Sequence, residues 1–199
     1  MAAEDPGTAS SVPPAQGGAT APVPEGAASV PEDLVVDWST YHRLIESLAV
    51  QVQASGWEFD AIVCLARGGL RIGDVFSRLF RRPLGVLFTS SYREAAGTRQ
   101  GRLLIGEQIA SAEPLPGGRW LVVDDLVDSG ATLVEILPAL RARRQDVTEI
   151  RSAVLWRKGC SVASPDYCVE TLPNNPWIHQ PFEVYDQTRL EDLGTPAPR

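Results

Sequence analysis

The sequence predicts an α/β fold with a mainly parallel central sheet flanked by helices and a small C-terminal hood. Two observations predict the sheet and its helices. Short continuous apolar runs at 61–65, 84–89, 120–123 and 150–156 read as strands buried on both faces. Segments with helical periodicity stand between them, at 70–80 and 132–143, with a further one ahead of the first strand at 42–52. A third observation predicts the hood: from Gly159 onward the helical pattern stops, and short β-prone pieces and loops replace it.

The elements follow in order. Residues 1–30 are rich in Ala, Pro, Gly, Ser and Thr and hold no aromatic residue, Leu or Ile. Such a segment cannot bury enough apolar surface to offset the entropy of ordering it, so a disordered tail is expected there. Leu34-Val35-Val36 is short and β-prone. Ser39 can cap the helix over 42–52, where Leu44, Leu48 and Val52 share a face, and Ser55-Gly56 ends it. The buried strand at 61–65 leads into a turn at Arg67-Gly68-Gly69, and the helix over 70–80 follows. The next strand covers 84–89, and the polar, glycine-containing stretch from 90 to about 102 reads as a loop. Trp120-Leu121-Val122-Val123 is a core strand that ends in Asp124-Asp125. The helix over 132–143 carries Leu133, Ile136, Leu137 and Leu140, and 150–156 forms the last core strand. The expected organisation is a tail at 1–30, a core at 31–158, a hood at 159–186 and a C-terminal tail at 187–199.

Composition narrows the function. At 199 residues and 44% hydrophobic content the chain can build one domain with a full core. A net charge of −7 shows no sign of the basic face that nucleic-acid binding requires. Cys64, Cys160 and Cys168 are odd in number and lack CxxC spacing, which disfavours a disulfide framework or zinc site; buried, reduced thiols are expected. No apolar run approaches the length of a membrane span, and the N-terminus lacks the pattern of a signal peptide. A cytoplasmic protein with no membrane partner is the expectation.

The most informative segment runs from Leu121 to Thr132. An apolar strand enters two acids, Asp124 and Asp125, and a tight loop with Asp128, Ser129, Gly130 and Ala131 then opens a helix at Thr132. Backbone N–H groups at a helix N-terminus form an anion cradle, and the Ser129 and Thr132 hydroxyls add donors. The paired carboxylates stand beside that cradle, where they can accept hydrogen bonds from sugar hydroxyls. The segment also lies at the carboxyl end of a strand, where open α/β sheets bind ligands. A plain strand-to-helix loop with solvated acids is the competing reading.

This segment closely resembles the signature with which type I phosphoribosyltransferases bind phosphoribosyl pyrophosphate (PRPP). The resemblance implies that Asp124 and Asp125 hold the ribose hydroxyls, directly or through Mg²⁺ and water. It also implies that residues 125–132 cradle the 5′-phosphate. Leu65-Ala66-Arg67-Gly68-Gly69-Leu70 resembles the pyrophosphate loop of the same family, although Arg-Gly-Gly alone also suits a simple turn. That family often has a cis peptide in this loop, which makes Ala66–Arg67 a candidate. Thr89-Ser90-Ser91-Tyr92 and the stretch behind it resemble a mobile lid whose Ser91 and Tyr92 close over PRPP. Arg99 or Arg102 can reach the pyrophosphate from it. The alternative there is an ordinary surface loop.

The run from Lys158 through Pro176-Trp177-Ile178-His179-Gln180-Pro181-Phe182-Glu183 resembles the hood of bacterial xanthine-guanine phosphoribosyltransferases. Val36-Asp37-Trp38 also looks like those enzymes, so the resemblance spans 34–183. It implies that Lys158 donates to a purine 6-oxo group, Trp177 stacks on the ring, and the backbone near Ile178 meets the group at position 2. An ammonium donor favours a 6-oxo over a 6-amino purine, and stacking tolerates substituents. Without the resemblance, Lys158 reads as a solvated strand end and Trp177 as a packing residue.

A purine salvage transferase using Mg²⁺ and PRPP is the resulting expectation, with Asp124 and Asp125 stabilising charge and Asp128 accepting a proton from N7 while N9 attacks. Its implied state is a homodimer or homotetramer. Two alternatives stay open: a non-catalytic module that senses PRPP or a nucleotide, and a transferase for another nucleobase, whose pocket Arg157 and Asn174-Asn175-Pro176 could reshape.

Overall fold

The structure, a computed structural model, describes residues 33–93 and 100–194, without the side chains of 91–93 and 100–102. The expected tail at 1–30 lies outside the described residues. Strand β1 (Leu34–Val35) leads into helix α1 (Trp38–Ala54). The cap of α1 is Asp37, not Ser39: Asp37 Oδ1 accepts from the Thr40 N–H at 2.6 Å, so the helix starts at Trp38 rather than near 42. An Asp at this position satisfies an otherwise orphaned amide. Ser39 sits in the first turn, its hydroxyl accepting from Arg43 at 2.8 Å.

One face of α1, carrying Tyr41, Leu44, Ile45, Leu48 and Val52, is buried. Every residue of β2 (Ala61–Ala66) is buried, as a central strand covered on both faces must be. Side chains alternate across the sheet: Ile62 and Cys64 join α1 and the Ile72 and Phe76 face of α2 (Leu70–Phe80). Ala61, Val63 and Leu65 join Leu133, Ile136 and Leu140 of α3 (Ala131–Arg143) on the opposite face. Helix α2 stops where Arg81 turns left-handed at φ 52°.

Strand β3 (Leu84–Arg93) is longer than expected, and β4 (Gln100–Ser111) pairs with it antiparallel. The expected loop over 90–102 is thus a hairpin, with only 94–99 outside the description. Its polarity concealed it, because an edge hairpin needs no continuous apolar run. Register shifts between Leu87 and Thr89 and between Ser91 and Arg93 also break the alternation.

The rest of the sheet consists of β5 (Gly118–Val127), β6 (Val147–Lys158) and β7 (Tyr167–Leu172). Six strands are ordered β4-β3-β2-β5-β6-β7, and every neighbouring pair except β3–β4 is parallel. The region after Gly159 therefore divides. Strand β7 extends the central sheet, whereas β8 (Ile178–His179) pairs with β1 in a separate two-stranded ribbon. The chain turns one way from β2 to β3 and the other to β5, so the carboxyl ends of β2 and β5 flank the switch point where such sheets bind ligands.

Trp120 and Trp156 are fully buried, each with its indole N–H satisfied, by Pro116 O at 2.8 Å and Glu170 Oε2 at 2.9 Å. All three cysteines are free, but only Cys64 is buried; Cys160 is exposed because it lies in the turn after β6 rather than in an apolar run. Among the described residues, no helix is long and apolar enough to cross a membrane.

Candidate active site

Strands β2 and β5 lie side by side with Cys64 opposite Val123, which sets the 67–69 turn against Asp124 and Asp125. The contact is close enough to require glycine. A Cβ on Gly68 would lie 2.4 Å from Asp125 Oδ1, and one on Gly69 would lie 2.4 Å from the Val123 carbonyl oxygen. The Ala66–Arg67 peptide is cis. Arg67 projects from the turn and faces Asp186 at 3.5 Å.

The two acids remain within β5, whose pairing with β6 continues past them to Val127. Asp125 N–H donates to Asp124 Oδ1 at 3.0 Å. Asp125 Oδ2 in turn accepts from Gln180 Nε2 at 2.5 Å. Burial holds the Asp124 carboxyl well above the usual range, and the neighbouring Asp125 charge pushes it the same way. Burial also raises Asp125, against the donated Gln180 hydrogen bond. A pair so placed favours a hard cation that offsets its charge or sugar hydroxyls that donate hydrogen bonds to it.

The loop into α3 brings Asp128, Ser129, Gly130 and Ala131 to the same end of the sheet. Gly130 has φ 87°, a left-handed conformation, and its Cβ would meet Ala163 N and Ser161 Oγ, each at 2.6 Å. The N-cap residue of α3, Gly130, has no side chain, and Ala131 N–H donates to Ser129 Oγ at 3.4 Å. The 161–163 segment braces the loop: Val162 N–H donates to Ser129 O at 2.9 Å. Arg157 holds that brace, donating to Ala163 O and Ser161 O at 3.0 and 3.2 Å.

Two clefts meet here. One, of about 510 Å³, is lined by Arg67, Gly68, Arg71, Asp124, Asp125 and Thr132. The other, of about 930 Å³, is lined by Asp128, Lys158, Trp177 and Ile178. Arg67, Gln180, Glu183 and Asp186 belong to both. Volumes of this order suit a nucleotide-sized ligand. In the larger cleft, Lys158 Nζ lies 3.4 Å from Asp128 Oδ1 and 5.8 Å from the centre of the Trp177 ring. Ile178 is buried in β8, whereas Trp177 is half exposed, so its face is open to a ligand. Asn175, at φ 52°, accepts from the Cys160 N–H at 2.8 Å through Oδ1, which anchors the approach to Trp177.

Of the residues read from the sequence, the structure brings Arg67, Gly68, Asp124, Asp125 and Thr132 to the smaller cleft and Asp128, Lys158, Trp177 and Ile178 to the larger one. Ser91 and Tyr92 lie on β3, but their side chains are outside the described residues, as are Arg99 and the side chain of Arg102. Other residues were not singled out from the sequence. Arg71 lines the smaller cleft with its guanidinium 4.1 Å from the Phe182 ring and 5.3 Å from that of Trp38. Its place directly after Gly-Gly-Leu was the available signal. Gln180 and Glu183 lay inside the quoted hood run without a role, and Asp186 just beyond it. Burial raises the Glu183 carboxyl.

A mainly parallel sheet with glycine-tight loops, an acid pair and a helix N-terminus at one end is the arrangement in which open α/β sheets bind ligands. The comparison with known proteins is more specific. The phosphoribosyl transferase domain family matches residues 37–187, and the chain belongs to it. The fold is that of the type I phosphoribosyltransferases. A xanthine-guanine phosphoribosyltransferase from Idiomarina loihiensis is 27% identical over 154 residues, covering 77% of this chain and 88% of that protein. Among solved structures, a purine phosphoribosyltransferase from Pyrococcus horikoshii superposes with a TM-score of 0.63 at 27% identity, covering 76% of this chain and 94% of the other. A xanthine-guanine-hypoxanthine phosphoribosyltransferase from Helicobacter pylori gives 0.61 at 26%, covering 74% and 91%.

Proposed function

We propose that the chain transfers the 5-phosphoribosyl group of PRPP to N9 of a 6-oxopurine (guanine, xanthine or hypoxanthine) and releases pyrophosphate. The observation that carries this reading is the convergence of Lys158, Asp128 and Trp177 in one cleft that opens onto the acid pair. The purine names of the similar proteins from I. loihiensis, P. horikoshii and H. pylori support it.

The residues divide the work. The backbone amides and hydroxyls of Ser129, Gly130, Ala131 and Thr132 take the 5′-phosphate. Arg67 and the Gly68-Gly69 backbone take the pyrophosphate, Ser91 and Tyr92 close over it, and Asp124 and Asp125 take the ribose hydroxyls. Trp177 stacks on the purine, the Ile178 backbone meets position 2, and Lys158 donates to the 6-oxo group. The C1–oxygen bond of PRPP breaks, the electron pair leaves with pyrophosphate, and N9 forms the new bond to C1. The N7 proton passes to the Asp128 carboxylate. Nearby carboxylates stabilise the oxocarbenium character that develops at C1.

The acid pair also fits Mg²⁺, since two adjacent carboxylates offer the oxygen ligands that it prefers. Among the described residues no group of three or more His, Cys, Asp or Glu could hold a metal alone, so phosphate oxygens and water would complete the set. Bound Mg²⁺ supplies charge neutralisation for the departing pyrophosphate.

The test is pyrophosphate release from PRPP and Mg²⁺ with guanine, xanthine, hypoxanthine, adenine and uracil offered separately. Release matched by nucleotide formation with a 6-oxopurine is the expected result. Silence with every base despite PRPP binding would replace the transferase with a sensor, and turnover of adenine or uracil alone would reassign the acceptor.

A further inference from the structure

We infer that Gln180 is a positioning residue for ribose recognition: its amide clamps Asp125 so that the carboxylate meets the ribose hydroxyls, which ties the hood to the floor of the PRPP site. The inference rests on the transferase reading and adds to it a residue that contacts an acid rather than the base.

Four observations carry it. Gln180 Nε2 donates to Asp125 Oδ2 at 2.5 Å, a short hydrogen bond across 55 positions of sequence. Gln180 directly follows β8, where the ribbon with β1 is closed by the Val36 N–H donating to His179 O at 3.0 Å; its own carbonyl accepts from Glu183 N–H at 3.0 Å. Its backbone is therefore fixed on both sides. The residue is buried, with 7% of its surface exposed, and it lines both clefts. Lastly, Gln180 Oε1 is buried without a hydrogen-bond partner among the described residues. An amide kept only for packing would satisfy both ends or give way to an apolar side chain, because an orphaned buried acceptor is destabilising. Here the acceptor is left unpaired while the donor stays on the acid.

The clamp predicts an effect on sugar selectivity that a packing role would not produce. In the full chain, the dissociation constants of guanosine 5′-monophosphate and its 2′-deoxy and 3′-deoxy forms are measured by calorimetry. The unaltered protein is expected to prefer the ribonucleotide to at least one deoxy form by about tenfold or more. In Gln180→Met, the ribonucleotide should weaken by about tenfold while that deoxy form moves by less than about threefold, so the ratio collapses. The deoxy form thereby reports intact folding. Should Gln180→Met fail to fold, Gln180→Asn, which keeps the amide but shortens its reach, is read the same way. In an Asp125→Asn background, Gln180→Met should not change the ratio further. Equal weakening of all three nucleotides, no weakening, or an undiminished effect on the ratio without Asp125 would overturn the inference. If the unaltered protein binds neither nucleotide nor PRPP, the transferase reading fails and takes the clamp with it. If it binds them without distinguishing the deoxy forms, only the clamp fails.

Discussion

Lys158 and Asp128 face each other across the larger cleft, Nζ 3.4 Å from Oδ1, with the lysine side chain 8% exposed and the aspartate 56% exposed. The asymmetry matters for chemistry. The cation is fixed in the wall at the end of β6, while the acid at the mouth of the α3 loop remains open to a ligand.

That exposure suits Asp128 to accept a proton from the purine. Asp128→Asn is expected to lower kcat by about 10²–10⁴-fold. PRPP binding should stay within about threefold, because the substitution leaves the phosphate cradle and acid pair in place. Single-turnover kinetics beside equilibrium PRPP binding checks this, and comparable loss of both would count against the base role.

In the proposed function Lys158 reads position 6 of the base. Lys158→Gln should lower the ratio of kcat/KM for hypoxanthine to that for adenine by about tenfold or more, the usual weight of a charge-assisted hydrogen bond. These two bases differ in the group at position 6 and in the N1 proton that goes with it, so an unchanged ratio would show that the lysine does not read that edge.

Gly68 offers a test of the loop geometry. An added Cβ would fall 2.4 Å from Asp125 Oδ1, so Gly68→Ala must displace either the carboxylate or the loop. Misplacing a binding group by about 1 Å can cost about 10²-fold in rate. A fall of that order in kcat/KM for PRPP is expected, with the KM for the base nearly unchanged. Retained PRPP kinetics would mean that the two loops are not held in the tight contact described.

The parts of the site that were legible in the sequence are those whose chemistry lies on contiguous residues. Asp124 to Thr132 carries acids, loop and helix start in a single run, and an apolar lead-in fixes which end of the strand they occupy. Lys158 and Trp177 were legible through a resemblance that supplied what their spacing alone could not. The pairings of Gln180 with Asp125 and Arg67 with Asp186 depend on how β8 and the following turn fold back over the sheet, and no local pattern encodes that. For the fold, β2 was read nearly to the residue because it is a continuous apolar run buried throughout, and α2 because its apolar residues recur at helical spacing. Strand β4 was missed because an edge strand is paired on one side only and leaves Leu104 half exposed. Asp37 was passed over as the α1 cap because Ser39, two residues on, offers the same kind of oxygen.

The cysteines give a test that needs no substitution. Cys160 is exposed, and its Sγ lies 3.8 Å from the carbonyl oxygen of Asp128, a residue that lines the larger cleft. Cys64 is buried behind α2, and burial pushes its thiol up to about 11. Burial also raises the partly exposed Cys168. Since the thiolate is the nucleophile, iodoacetamide at pH 8 should label Cys160 first and leave Cys64 unmodified. Raising the pH increases the Cys64 thiolate fraction about tenfold per unit until the pH approaches its pKa, so any Cys64 labelling should climb along that course. Saturating guanosine 5′-monophosphate, seated against Asp128 and Lys158, should slow Cys160 labelling by about tenfold. Peptide mapping by mass spectrometry separates the three sites. Protection at Cys160 alone would place the nucleotide in the larger cleft, whereas labelling that ignores the nucleotide would place it elsewhere.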